Sequence, residues 1–255
     1  MVKKWKVTIP EQTGKTPRNA YVYLPAGYKS DRRRRYPVLY MFDGHNVFFD
    51  TDATYGKSWG MADYLDLTKT PLIVAAVECD HGQVPGRLSE YSPFSFEDSY
   101  FGSVEGRGKI TMDWFVNVFK PMIDRRYRTI PDREHTFIAG SSMGGLMSLY
   151  AVTKYNNIFS RAMSMSPSLW VGADKLAELI QKAKIKPGTV VYMDYGSEEL
   201  DNHRAMLRLF NKMANRLSER GAMVNSRIVP GGQHCEASWE KQIPIFMQTL
   251  FYGLE

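Results

Sequence analysis

The residues best able to do chemistry lie in Gly140-Ser141-Ser142-Met143-Gly144. They match G-x-S-x-G and fall between an apolar, strand-like run ending at Ala139 and a segment of helical character from Gly144. A serine on such a sharp strand-to-helix turn is forced into a strained backbone, and glycines two positions to either side let neighbouring chain come close. Register assigns the nucleophile to Ser142, because Ser141 would require a small residue where Met143 stands. A hydroxyl needs a base to remove its proton, and the base needs an acid to orient it. Two histidines follow Ser142. His203 falls in a predicted helix from Asn202 to Glu219 and reads as a surface or capping residue. His234 lies in Gly231-Gly232-Gln233-His234, just after the last predicted strand, where a base would emerge.

The acid is expected where the preceding strand ends, and Asp194, Glu198, Glu199 and Asp201 all stand in that region. Asp194 reads as still within the strand. The other three stay open on residue type alone, since each would also serve as negative charge at a helix N-terminus. Attack on an acyl group further requires backbone donors aimed at the developing oxyanion. The Met143 amide is one candidate. Asp43-Gly44-His45-Asn46 offers the second, with Gly44 allowing a tight approach and His45 or Asn46 donating.

These residues need elements to hold them. Lys4 to Ile9 and Asn19 to Leu24 read as an opening antiparallel pair of strands joined by a turn containing Gly14. Pro37 to Phe42, Leu72 to Val77 and Thr136 to Ala139 are short, nearly continuous apolar runs, the signature of strands covered on both faces of a parallel sheet. Helical spacing marks Met61 to Leu67 and Ile110 to Tyr127. Past Ser142 the alternation continues: helix Gly144 to Lys154, strand Arg161 to Met165, helix Asp174 to Lys184, strand Thr189 to Tyr195, the helix holding His203, and strand Asn225 to Val229. One closing helix is predicted from about Glu236 to Phe251. The pattern is α/β with a largely parallel central sheet and a single domain over 1–255. His81 to Gly108 is the least regular stretch, a long loop of the kind that covers a site or moves.

The chain has 255 residues, 44% of them apolar and 13% aromatic, enough for one sizeable core. No secretory leader or anchor is readable in Met1 to Pro10, and no apolar run has the length of a membrane span, so a soluble, cytoplasmic protein is expected. The net charge of +6 includes the run Arg32 to Arg35. That run precedes a strand without interleaved aromatics and reads as a solvated turn; neither nucleic acid nor membrane is an expected partner. Cys79 and Cys235 read as free thiols, their spacing suggesting neither a metal site nor a redox pair. Homo-oligomerisation is left open.

Val38 to Phe48, Arg87 to Pro93, Gly140 to Gly145, Ser164 to Trp170, and Gly232-Gln233-His234 with Trp239 together resemble the "Putative esterase" family of α/β-hydrolases. The family groups feruloyl and acetylxylan esterases, enterobactin-type siderophore esterases and S-formylglutathione hydrolase. The resemblance runs from about residue 20 to the end. It implies a Ser-acid-His hydrolase on an α/β-hydrolase fold without a large cap, with no metal and no organic cofactor. Its strand, then Gly-Ser/Thr-x-acid pattern places the acid on Glu199, with Glu198 in competition because feruloyl esterases of the group generally carry Asp. It also makes Arg87 to Glu90 an internal ion pair that fixes a loop. The expected substrate is an acetyl or hydroxycinnamoyl ester of a carbohydrate, with siderophore lactones, thioesters and acyl transfer as alternatives and a catalytically silent binding protein as the non-enzyme reading. Phe48, Phe49, Trp59, Trp170 and Trp239 could build an aromatic wall or equally belong to the core, core being the safer reading for any one of them, and Trp170, Asn46 and Trp239 are the residues assigned to substrate.

Overall fold

The computed structural model describes residues 1–82, 85–199 and 203–254. The chain runs β1 (Val2–Val7), α1 (Pro10–Thr13), β2 (Arg18–Tyr23), β3 (Val38–Met41), α2 (Met61–Thr68) and β4 (Ile73–Val77). Next come α3 (Gly86–Glu90), a small hairpin of β5 (Phe96–Asp98) and β6 (Gly102–Val104), α4 (Gly108–Trp114), a π-helical turn at Phe115–Phe119, and α5 (Lys120–Arg126). The second half alternates regularly through β7 (Thr136–Ser141), α6 (Met143–Lys154), β8 (Arg161–Met165), α7 (Ala173–Lys182), β9 (Val190–Gly196), α8 (His203–Glu219) and β10 (Met223–Val229). Two short helices, α9 (Glu236–Glu240) and α10 (Ile243–Leu250), close it.

Eight strands form one sheet in the order β1-β2-β4-β3-β7-β8-β9-β10. The first two pair antiparallel to each other and β2 pairs antiparallel to β4, whereas every pair from β4 to β10 is parallel. Side-chain alternation then splits the core in two. Tyr40, Ile138 and Met193 face one layer with α4 and α6 to α8, while Leu39, Phe137 and Tyr192 face the other with α2 and α10. Because both faces are covered, the central strands are apolar without a break, the feature that made them legible. The sheet, its flanking helices and the antiparallel edge match the sequence expectation. Among the described residues no helix is long and apolar enough to cross a membrane.

Three expectations are corrected. The single closing helix is two, because Pro244 near the start of α10 brings no N–H and its ring would clash with the carbonyl of Glu240 one turn earlier. The irregular stretch from His81 to Gly108 contains α3 and the β5–β6 hairpin, elements too short to show a period. Arg87 and Glu90 do not pair with each other. Arg87 grips Asp43 through two hydrogen bonds of 2.7 Å, and Glu90 takes Arg18 at 2.7 Å in a buried pair. Both therefore anchor α3 through partners distant in sequence, Arg87 to the turn after β3 and Glu90 to β2. Asp201 and Asn202, named above as a candidate acid and a helix start, lie outside the described residues.

Candidate active site

In the parallel part of the sheet the strands end on one edge, and the site is assembled from the loops leaving that edge. Ser142 stands between β7 and α6 with φ 58 and ψ −121. A non-glycine residue is rarely held there, and the surroundings show what holds it. A Cβ on Gly140 would lie 2.7 Å from Gly144 backbone, and one on Gly145 would lie 2.7 Å from the Met165 carbonyl. The Ser142 amide donates to the Met165 carbonyl at 2.9 Å, and its own carbonyl accepts from Ser168 and Leu146 at 3.0 Å each. Its side chain borders two cavities.

Gly44 approaches β4 so closely that a Cβ would stand 2.8 Å from Val77 backbone. This draws the turn after β3 in toward the elbow, with Asp43 in the left-handed region at φ 53. Burial works against the Asp43 carboxylate, yet the Arg87 guanidinium holds it below its ordinary range. Among the described residues, neither the His45 amide nor the Met143 amide has a hydrogen-bond acceptor within the protein. First-turn amides of a helix carry partial positive charge, and free ones beside a serine can hold an oxyanion. Asn46, the alternative donor, gives its amide to Asp43 at 2.8 Å, and its side chain bonds Glu236 at 3.0 Å.

On the other side the loops after β9 and β10 converge. A Cβ on Gly196 would fall 2.3 Å from the Gly232 carbonyl oxygen, so two glycines facing each other allow the approach. Across that junction His234 Nδ1 meets Glu199 Oε2 at 2.8 Å. With the carboxylate as acceptor, Nδ1 carries the proton and Nε2 is left to accept one. Glu199 is buried; its Oε1 accepts from the Gly196 amide at 2.7 Å and from Ser166 Oγ at 2.5 Å. Ser166 Oγ in turn accepts from Trp239 Nε1 at 2.8 Å. Glu198 is exposed, and among the described residues its carboxylate reaches only Gln233, at 3.4 Å. Asp194 lies within β9, as read from the sequence, and burial pushes its carboxyl up to about 7. His203 stands against Tyr195 at the start of α8 and borders neither cavity.

Ser142 and His234 both line each cavity. No hydrogen bond joins Ser142 Oγ to the imidazole among the described residues; Ser142 Oγ pairs instead with Ser168 Oγ at 3.2 Å. Catalytic hydrogen bonds are often long before substrate binds, and both side chains border the same two cavities. The larger cavity, about 400 Å³, is polar-rimmed, with His45, Asn46, Thr54, His81 and Glu236 among its walls. The smaller, about 210 Å³, is bounded by Leu88, Pro167, Trp170, Tyr195 and Met206. Burial raises the Glu236 carboxyl and lowers the His45 imidazole.

Of the aromatic candidates, Trp170 is partly exposed and lines the smaller cavity, packed edge-on against Phe96 at 5.5 Å. Trp239 is buried behind His234, with ring centroids 5.1 Å apart, and borders the larger one. Phe48 and Trp59 are core residues and Phe49 is exposed, so these three build no wall: they line neither cavity. Sequence reasoning missed Ser166, Ser168 and Glu236. The signals available for the serines were their place in the Ser164 to Trp170 stretch of the family resemblance and the need for β8 to neighbour β7, which brings the strand's end under the elbow.

Comparison with known proteins bears on the family and the fold. An uncharacterized protein, YbbA, of Bacillus subtilis (strain 168) is 28% identical over 208 residues, covering 78% of each chain. An endo-1,4-beta-xylanase/feruloyl esterase of Xylanibacter ruminicola is 27% identical over 250 residues, 94% of this chain, which spans only 30% of that longer protein. An IroE-like serine hydrolase from Shewanella oneidensis shares the fold, with TM-score 0.75 and 19% identity over 100% of this chain and 81% of that one. The family model described as "Putative esterase" matches residues 12–249, and the chain therefore belongs to that esterase family.

Proposed function

We propose that this protein is a serine carboxylic-ester hydrolase in which Ser142 attacks the acyl carbon, His234 serves as base and then acid, and Glu199 orients the imidazole. The observation that carries the reading is convergence: a serine held at φ 58 and a Glu199–His234 pair at 2.8 Å face the same cleft. Nε2 takes the Ser142 proton as Oγ bonds to the carbonyl carbon, and the oxyanion is met by the Met143 and His45 amides. Collapse of that intermediate expels the alcohol, which leaves with the proton from Nε2. Water, deprotonated by the same nitrogen, then releases the acid and restores Ser142.

The unequal cavities support a hydroxycinnamoyl or acetyl ester of a carbohydrate. The smaller, walled by Trp170, Tyr195 and Met206, suits a flat aromatic acyl group; the polar one suits a sugar hydroxyl array. The xylanase/feruloyl esterase likeness points the same way. Labelling by a fluorophosphonate probe, abolished in Ser142→Ala, tests the nucleophile. Hydrolysis of feruloylated and acetylated oligosaccharides, set against a catecholate siderophore lactone and an S-acyl glutathione, tests the substrate class. Feruloyl preference that falls about tenfold in Trp170→Ala supports this acyl pocket; preference for the lactone or thioester overturns it.

A further inference from the structure

We propose that His45, Cys79 and His81 form a binding site for a soft divalent cation, Zn²⁺ foremost, and that its occupancy inhibits the enzyme by filling the polar cavity beside Ser142. One ligand atom from each residue lies within 4.8 Å of the others. The topology explains why. β3 and β4 are parallel neighbours in register from Val38↔Ile73 to Met41↔Ala76, so the loops that leave their ends emerge side by side. His45 follows the first strand, and Cys79 and His81 follow the second at alternate positions.

Burial and the neighbouring Asp43 carboxylate push the Cys79 thiol up, so a cation must displace its proton, while the His45 ring keeps a nitrogen uncommitted. His45 Nε2 pairs with Thr54 Oγ1 at 3.0 Å, and Nδ1 is buried without any hydrogen-bond partner, which leaves that nitrogen for a ligand. An orphaned buried donor or acceptor costs stability, so an unsatisfied nitrogen on one of three clustered ligating residues is informative. Cys79 is a free, buried thiol, and the two imidazoles stand edge to face with centroids 4.4 Å apart. One thiolate and two imidazoles suit Zn²⁺ in a tetrahedral site, with a fourth position left for water. Arg87 is the nearby positive charge, but Asp43 neutralises it through both hydrogen bonds, and Glu78 adds a carboxylate on the cluster's side. Binding would bond the metal to the Cys79 sulfur while the thiol proton passes to solvent, so uptake releases one proton and weakens in acid. All three residues line the cavity shared with Ser142 and His234, which couples the site to turnover.

Co²⁺ added to the metal-free, full-length protein reads the first half of the proposal without reference to activity, through the near-ultraviolet thiolate-to-metal charge-transfer band. That band should appear at one equivalent and be lost in Cys79→Ser. His81 is exposed, so His81→Ala keeps the fold and should weaken Co²⁺ and Zn²⁺ binding by about tenfold or more. Zn²⁺ should inhibit hydrolysis of a p-nitrophenyl ester reversibly, with EDTA restoring the rate and both variants resisting. Absence of the band, or a band that survives both substitutions, overturns the site. Stoichiometric binding with an unchanged rate overturns its coupling to the active site.

Discussion

The two halves of the active site are held by different forces. On the elbow side, Ser142 is positioned by backbone: a strained φ, glycines whose missing Cβ atoms admit neighbouring chain, and amide-to-carbonyl bonds to Met165 and Ser168. On the acid–base side, His234 is positioned by a line of side chains, Trp239 to Ser166 to Glu199 to imidazole, that joins the ends of β8, β9 and β10. Backbone devices are over-determined and tolerate loss of one contact. A side-chain line passes every loss to its end. Loss of the Ser142 hydroxyl should therefore be all or none, because the backbone that holds the residue supplies no substitute nucleophile, while loss of a relay member should be graded, because Glu199 Oε1 keeps a second donor in the Gly196 amide.

The largest effect sharpens the first half of that contrast. Ser142→Ala should lower kcat by more than about 10⁴-fold while leaving the thermal midpoint nearly unchanged, since the elbow's contacts are main-chain. Burst kinetics with a p-nitrophenyl ester and a melting curve check both. Retained turnover would remove Ser142 from its role. Next, Glu199→Gln should cost about 10³-fold by disturbing the imidazole's tautomer and its stabilisation, whereas Glu198→Gln should stay within about twofold. Equal losses in both variants would break the assignment made by the 2.8 Å contact.

The same contrast explains what was readable in the sequence. The elbow was legible because its requirements are local: Gly140, Ser142 and Gly144 lie within five residues, between a strand and a helix that announce themselves by apolar pattern. His234 was legible because only one downstream histidine followed a strand. Glu199 was not separable from Glu198 and Asp201 on residue type, since what selects it is Gly196 facing Gly232, a contact across 36 positions that no spacing rule encodes. Ser166 stood in a stretch that carried the family resemblance, but its role was unreadable for the same reason. It lies 33 residues from Glu199 and 73 from Trp239, and acts through both. Of the five aromatics weighed for a wall, Trp170 and Trp239 border the cavities while Phe48 and Trp59 take the core place that was the safer reading, since size and hydrophobicity alone do not tell Trp59 from Trp170.

Ser166→Ala probes the relay at its middle. The variant removes the hydroxyl that donates to Glu199 and leaves Trp239 Nε1 without its acceptor, but the Gly196 amide still holds the same carboxylate oxygen. Turnover should fall by about tenfold with KM nearly constant, since Ser166, although it borders the smaller cavity, is buried with its hydroxyl committed to Glu199 and Trp239. A fall confined to KM would mean that the serine touches substrate rather than positioning the acid. Loss as large as that of Glu199→Gln would mean that Gly196 contributes nothing, contrary to graded failure.

The smallest expected effect is thermodynamic and belongs only to the relay side. Asp194 is buried behind Ser166, with Oδ2 accepting from the Tyr192 hydroxyl at 2.8 Å and Oδ1 facing the Ser166 amide at 3.3 Å. Burial raises its carboxyl from 3.8 to about 7, so the folded state holds this proton more tightly than the unfolded chain does. Its contribution to stability is then full below the unfolded value and is lost as pH rises through the folded one. Between those two values the wild-type melting temperature should carry a downward component that Asp194→Asn, a neutral side chain of the same shape, removes. The difference between the two melting profiles, followed across that window, isolates this group from every other titration. If the profiles run parallel, Asp194 is ionised on both sides of folding, and Ser166 is held against a carboxylate rather than a neutral acid. The relay would then carry two negative charges behind the imidazole instead of one, and Glu199→Gln, by removing one of two close charges, should stabilise the fold even as it lowers the rate.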